Sequence, residues 1–204
     1  MRTSIILLRC DFTNELYELT KAAVETLKAD EHILIDNNST VGEIDGWADI
    51  YVRNKVNLGY CKAVNQGVKL ANGELLAISN NDIRVGKNWL KVAKEIFKED
   101  KKIASVHYRM TNCDVPMELG NNTWITGKER WCSSSFFVIR KEAFLGYDEE
   151  YNEGGYDDWD FWFRVRQQGL KTAYTTKSCY QHKHSSTYLA LDNGSSRYER
   201  DMKN

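Results

Sequence analysis

The sequence predicts an α/β protein built on a mainly parallel central sheet with helices on its faces. Three observations carry this. Short β-branched runs alternate with stretches of helical periodicity through the first half of the chain. The helical stretches are amphipathic, with apolar residues spaced for one inward face. A single proline, with no Gly/Ser-rich linker, low-complexity tract or internal repeat, gives nothing that would divide the 204 residues into separate domains.

The elements follow in order. TSIILL (Thr3–Leu8) is a short apolar run with the pattern of a buried first strand. Glu15–Lys28 has helix-forming composition, with Leu16, Leu19, Ala23 and Leu27 on one face. HILIDN (His32–Asn37) is a second strand and Ile50–Val52 a third. Tyr60–Ala71 reads as a helix with Cys61, Val64, Val68 and Ala71 inward, and Asn72-Gly73 is its stop signal. Glu74–Ser79 is the next strand, Asn88–Phe97 a helix and Ile103–His107 a strand. Residues 109–131 form a long polar excursion that holds the only proline. Ser133–Arg140 is a strand and Lys141–Tyr147 a short helix or turn. Asp158–Gln168 is a helix closed by Gly169, and Lys171–Thr175 and Cys179–His182 are two short extended pieces. After Ser185 the chain is polar, the composition of a mobile tail or a lid.

A net charge of −1 leaves no electrostatic footprint of a nucleic-acid binder. No apolar run reaches the length of a membrane span, and MRTSIILLRCDF turns polar too soon for a secretory signal. The five scattered cysteines contain no CxxC pair and read as reduced thiols, so a cytoplasmic location is expected. In that setting the Asn-x-Ser/Thr triplets such as those at Asn38 and Asn193 are accidental.

Ligands of parallel α/β sheets bind outside the carboxyl ends of the strands. Asp36 and Asp82 both fall there, so the topology brings them to one edge. Asp36, in IDNNST, is either a turn residue or a carboxylate that accepts from a ligand such as a nucleobase imide. Asn80-Asn81-Asp82 is either a turn or a metal subsite, since Mg2+ or Mn2+ takes one or two protein carboxylates and completes its shell with phosphate and water. In GGYDDWDFWFRVRQQG, Asp157, Asp158 and Asp160 crowd one helical opening turn. Capping and dipole compensation explain part of that. Mutual repulsion also makes one of them a better base, and Arg164 stands one turn on to pair with Asp160. His182 and His184, at i,i+2, point to opposite faces, so one of the two reaches a site.

The ordered series NNST, NLGY, ANGE, NND, WCSSS, FLGYDE, GYDDWDFWFR and a late histidine resembles family 2 glycosyltransferases of the GT-A fold, over about residues 3–187. That resemblance implies a Rossmann-like α/β sandwich that binds a nucleoside-diphosphate sugar with Mn2+ or Mg2+ and passes the sugar to a saccharide or glycoconjugate. It implies one domain over 1–204: a nucleotide-sugar half (1–108), an acceptor and catalytic half (109–187) and a polar tail (188–204). Asp36 matches the base-contacting aspartate, and Asn57 and Asn81 fall with it and Asp82 among the donor-binding positions. Asp82 matches the last acid of the family's Asp-x-Asp metal motif, with Asn80 in place of the first acid. Asp158 matches the catalytic base and Asp157 its acidic neighbour, a one-residue shift exchanging the two. His182, with His184 as its rival, matches a late histidine that helps hold metal and diphosphate. The first strand departs from the family pattern, ending in Leu-Arg-Cys-Asp where a proline-containing turn is usual.

The implied reaction is inverting transfer from a UDP- or dTDP-sugar to an acceptor hydroxyl. Two other readings are a sugar nucleotidyltransferase, which lacks its Gly-rich basic loop here because DFTNELYE is neither, and a sugar- or nucleotide-binding module without turnover. Trp124, Trp131 and Trp159 are either sugar-stacking platforms or core.

Overall fold

A computed structural model of the chain describes residues 1–111, 120–126, 133–151 and 156–183. Its strands are β1 (Thr3–Arg9), β2 (Glu31–Asp36), β3 (Ile50–Arg53), β4 (Leu75–Asn80), β5 (Ile83–Val85), β6 (Ile103–Thr111), β7 (Thr123–Thr126), β8 (Phe136–Arg140) and β9 (Lys171–His182). Its helices are α1 (Asn14–Thr26), α2 (Tyr60–Leu70), α3 (Trp89–Glu99) and α4 (Asp157–Gln167). One sheet runs β3-β2-β1-β4-β8-β6-β9-β5, with β7 paired to β9.

β1 to β4 are parallel throughout: β1 lies between β2 and β4, and β3 edges β2. β6 and β9 are also parallel, while β8 enters antiparallel between β4 and β6. β1, β2 and β4 have apolar centres, with polar residues at their ends, because both their faces are covered. One face packs Ala23 and Leu27 from the α1 region and Trp89, Ala93, Ile96 and Phe97 of α3. The other packs Cys61, Ala63 and Val64 of α2 with Phe161, Trp162 and Val165 of α4. Each such side chain contributes about 1.5–3 kcal/mol by leaving water, so the sheet is held from both sides.

Several expectations shift. In α1 the buried position is Thr20, not Leu19, because the Thr20 hydroxyl has a partner waiting in Asp11 at 2.8 Å. β5 and β7 were not expected. β7 lies inside the excursion read as irregular, and β6 runs on to Thr111 where the sequence suggested an end at His107. Ser133–Ser135 do not join β8, since they bond among themselves: Ser133 Oγ lies 2.5 Å from Ser135 Oγ. The two extended pieces after α4 are one strand, with a register shift that skips residues 176–178.

Candidate active site

The carboxyl ends of β1, β2, β3 and β4 meet at one edge. Arg9 pairs with Asp36 and Asp36 with Arg53 in strand register, and Leu8 stands opposite Asn80. Beneath that edge lies a buried polar cluster. Arg9 is 2% exposed and sets its Nε 3.0 Å from Asp11 Oδ2 and 4.0 Å from Asp36 Oδ2. Asp11 also accepts from Thr20 Oγ1 (2.8 Å) and Asn81 Nδ2 (2.7 Å). Burial pushes the Asp11 carboxyl up, against the pull of Arg9 and its two hydrogen bonds. The same burial, with Asp11 and Asp36 nearby, pushes the Cys10 thiol up to about 12, so it stays protonated and donates to Asn37 O at 2.9 Å.

Asp36 is buried, and its carboxylate accepts from Ser39 N, Tyr51 Oη and Arg53 Nη1. Asn57 lies on the exposed loop before α2, where its Oδ1 accepts from Asn37 Nδ2 and Gly59 N, both at 2.9 Å. Asn37 in turn accepts from Asn54 and from Leu58 N, so a set of amides shapes the NLGY loop. Asn81 turns inward: its amide is committed to Asp11 and Thr20.

Asp82 and His182 come together across β5 and β9. Ile83 pairs with His182, and Lys183 N donates to Asp82 O at 3.0 Å. The side chains of Asp82 and His182 are each 6% exposed, with Nε2 3.2 Å from Oδ1. Their alignment does not make a hydrogen bond, and Asp82 Oδ1 is buried without one. A buried carboxylate oxygen in that condition is costly unless it has another partner. A carboxylate oxygen and an imidazole nitrogen this close together are donor types that suit Mn2+ or Mg2+. Among the described residues no group of three or more His, Cys, Asp or Glu could hold a metal by itself. The pair fits an ion whose shell is completed by phosphate. His184 lies outside the described residues.

The end of β4 and the start of α2 are both tied to the Ser134–Ser135 segment, and α2 in turn borders the opening turn of α4. Asn80 N donates to Ser135 O (2.9 Å), Tyr60 Oη to Ser134 O (2.7 Å) and Tyr147 Oη to Ser134 Oγ (3.0 Å). Cys61 Sγ lies 3.9 Å from Asp157 Oδ2. Asp158 is half-buried, and burial first, then the charge of Asp157, pushes its carboxyl up to about 6. Asp160 is taken by Arg164, whose Nε donates to Oδ2 at 2.7 Å. Trp124 and Trp159 are exposed, while Trp131 lies outside the described residues.

Sequence reasoning missed the Arg9–Asp11–Thr20–Asn81 cluster and the Tyr51–Arg53 pair. An arginine inside an apolar strand was the available signal, since a buried guanidinium requires an acid.

A three-layer α/β sandwich with a mostly parallel central sheet, and a carboxylate and a histidine paired at its strand ends, is the frame of a glycosyltransferase of the GT-A type. The family model for glycosyl transferase family 2 matches residues 12–166, and the chain belongs to that family. Solved structures agree in fold. The S. aureus TarS 1–349 structure superposes with a TM-score of 0.71 at 16% identity, over 98% of this chain and 68% of that one. GalNAc-T7 with UDP, GalNAc and Mn2+ gives 0.68 at 14%, over 89% and 44%. The Pyrobaculum calidifontis mannosyltransferase PcManGT with GDP-Man and Mn2+ gives 0.68 at 16%, over 93% and 59%. The chain thus spans roughly half the length of GalNAc-T7 and PcManGT. No curated protein matches it. Among the described residues no helix is long and apolar enough to cross a membrane.

Proposed function

We propose that the protein is a metal-dependent, inverting glycosyltransferase that moves a sugar from a UDP- or dTDP-sugar to a hydroxyl of a saccharide or glycoconjugate. The observation that carries this reading is the Asp82–His182 pair, a buried carboxylate oxygen without a hydrogen bond beside an imidazole nitrogen. These two residues would hold Mn2+ or Mg2+. When bound there, the ion supplies neutralising charge to the departing diphosphate. UDP or GDP-Man with Mn2+ in the GalNAc-T7 and PcManGT structures supports the assignment.

The base of the donor is received where β2 ends in Asp36 and the Asn57 loop begins, with Asn81 bracing the edge from beneath. Asp158 takes the proton from the acceptor hydroxyl, which attacks the anomeric carbon from the face opposite the leaving group. Its raised pKa suits that role, because a base poised near working pH transfers protons well. Burial first, and then the charge of Asp157, keep that pKa high.

Sugar transfer and donor hydrolysis, assayed with a panel of nucleotide sugars, test the activity. In thermal-shift titrations, UDP or dTDP with Mn2+ should stabilise the protein clearly and Mn2+ alone little. Asp82→Ala should remove the effect of the metal. Nucleotide binding of equal strength in chelator and in Mn2+ would rule out the metal assignment.

A further inference from the structure

Asp36 has no exposed surface, and its acceptor positions are already engaged by the protein. Oδ1 accepts from Ser39 N at 2.7 Å; Oδ2 accepts from Tyr51 Oη and Arg53 Nη1, both at 3.0 Å. Arg9 Nε adds its charge from 4.0 Å on the inner side. A carboxylate so surrounded has little left to offer a ligand.

The residues that cover it are differently placed. β3 is the sheet edge, and its Ile50 and Val52 pack with the α2 layer. Tyr51 and Arg53 therefore share the opposite face, where Tyr51 is 53% exposed and the Arg53 side chain 49%. Arg53 is the register partner of Asp36 and fixes its fork by two bonds, Nη1 to Asp36 and Nη2 to Ser39 O at 2.6 Å. Its remaining N–H donors belong to a half-exposed group anchored on a buried acid, which is how a guanidinium is pre-organised for recognition.

On the glycosyltransferase reading of this edge, we infer that Arg53, supported by Tyr51, is the residue that reads the base of the donor, and that Asp36 is a positioning residue acting through it. A guanidinium has donors and no acceptor. It favours the carbonyl that uracil and thymine carry at ring position 4 and guanine at position 6, and disfavours the amino group that cytosine and adenine carry at those same positions. The Tyr51 ring adds a flat apolar face beside it, of the kind on which bases stack.

Calorimetric titration with UDP and CDP in Mn2+ tests this, because the two share ribose and diphosphate and differ only in the pyrimidine. The parent should prefer UDP. Arg53→Ala should weaken UDP by about tenfold or more, as for a lost hydrogen bond to a charged group, and leave CDP nearly unchanged, so that the preference collapses. Arg53→Lys keeps a charge beside Asp36 and should recover thermal stability but not the preference, which separates reading from folding. The double variant Asp36→Asn/Arg53→Ala should bind UDP no more weakly than Arg53→Ala alone. If Arg53→Ala binds UDP as tightly as the parent with the preference intact, the base meets Asp36 directly and the inference is overturned. A parent that binds no nucleoside diphosphate, with UDP, dTDP and GDP tried in turn, would overturn the glycosyltransferase reading itself.

Discussion

Asp158 is held in a state that suits chemistry and costs stability. Its carboxyl is raised from 3.8 to about 6, so between those values the folded chain binds a proton that the unfolded chain has released. Stability from this group is therefore present at low pH and lost as pH rises through about 6, while competence in the role of base proposed for it runs the other way. Two outcomes are expected. The acid limb of kcat/KM should fall near pH 6, not near 4, and Asp158→Asn should lower transfer by about 10²–10⁴. At pH 7.5 the same variant should melt above the parent, with the gap closing as pH falls toward 4. A rate profile flat from pH 5 to 8, with transfer intact in Asp158→Asn, would remove it as the base. At this scale the sequence was readable where acids crowd together, as in DDWD. It was not readable at Arg9, Asp11 and Asn81, whose side chains turn inward and find partners about 10 to 70 positions away.

Elements were legible where both faces of a strand are buried or one face of a helix is apolar. α2 illustrates this, and it contains Gly67 at its closest approach to the sheet. A Cβ there would meet Ile6 Cγ2 at 2.5 Å and Ile35 Cγ1 at 3.3 Å. Ile6 is a stiff, fully buried β-branched residue, so the helix would have to move. Overpacking costs about 1–3 kcal/mol, set against about 1 kcal/mol gained in helix propensity. Gly67→Ala should therefore lower stability by up to about 2 kcal/mol, visible as a reduced urea midpoint with an unchanged slope. An unchanged or higher midpoint would mean that α2 tolerates the shift. β5 and β7 were not legible, because three- and four-residue strands at a sheet margin owe their existence to β9 and carry little signal of their own.

Across the whole molecule the two edges of the sheet have separate duties. At the edge opposite the site, Glu31 accepts from Ser4 Oγ, from Asn72 N and from Asn72 Nδ2, and so fastens the turn into β4. Glu31→Ala would leave the buried Ser4 hydroxyl without its acceptor, costing about 1–3 kcal/mol, and free the Asn72 turn. It should lower the melting temperature while the folded protein keeps the parent's Kd for UDP with Mn2+; a weakened Kd would show that the two edges communicate. The overall architecture was legible because strand ends gather ligands in any parallel sheet. The meeting of residues 82 and 182 was expected only through the family resemblance and not from the residue pattern, because it depends on β9 pairing with β6, β5 and β7 together. That long strand also sets a timetable for synthesis. A ribosome will have released β1 to β4 and Asp82 well before β9 emerges, and long-range pairings of this kind form late. Arrested nascent chains should therefore gain protease resistance in their first half early, yet acquire Mn2+-dependent nucleotide binding only once residues beyond His182 have cleared the exit tunnel.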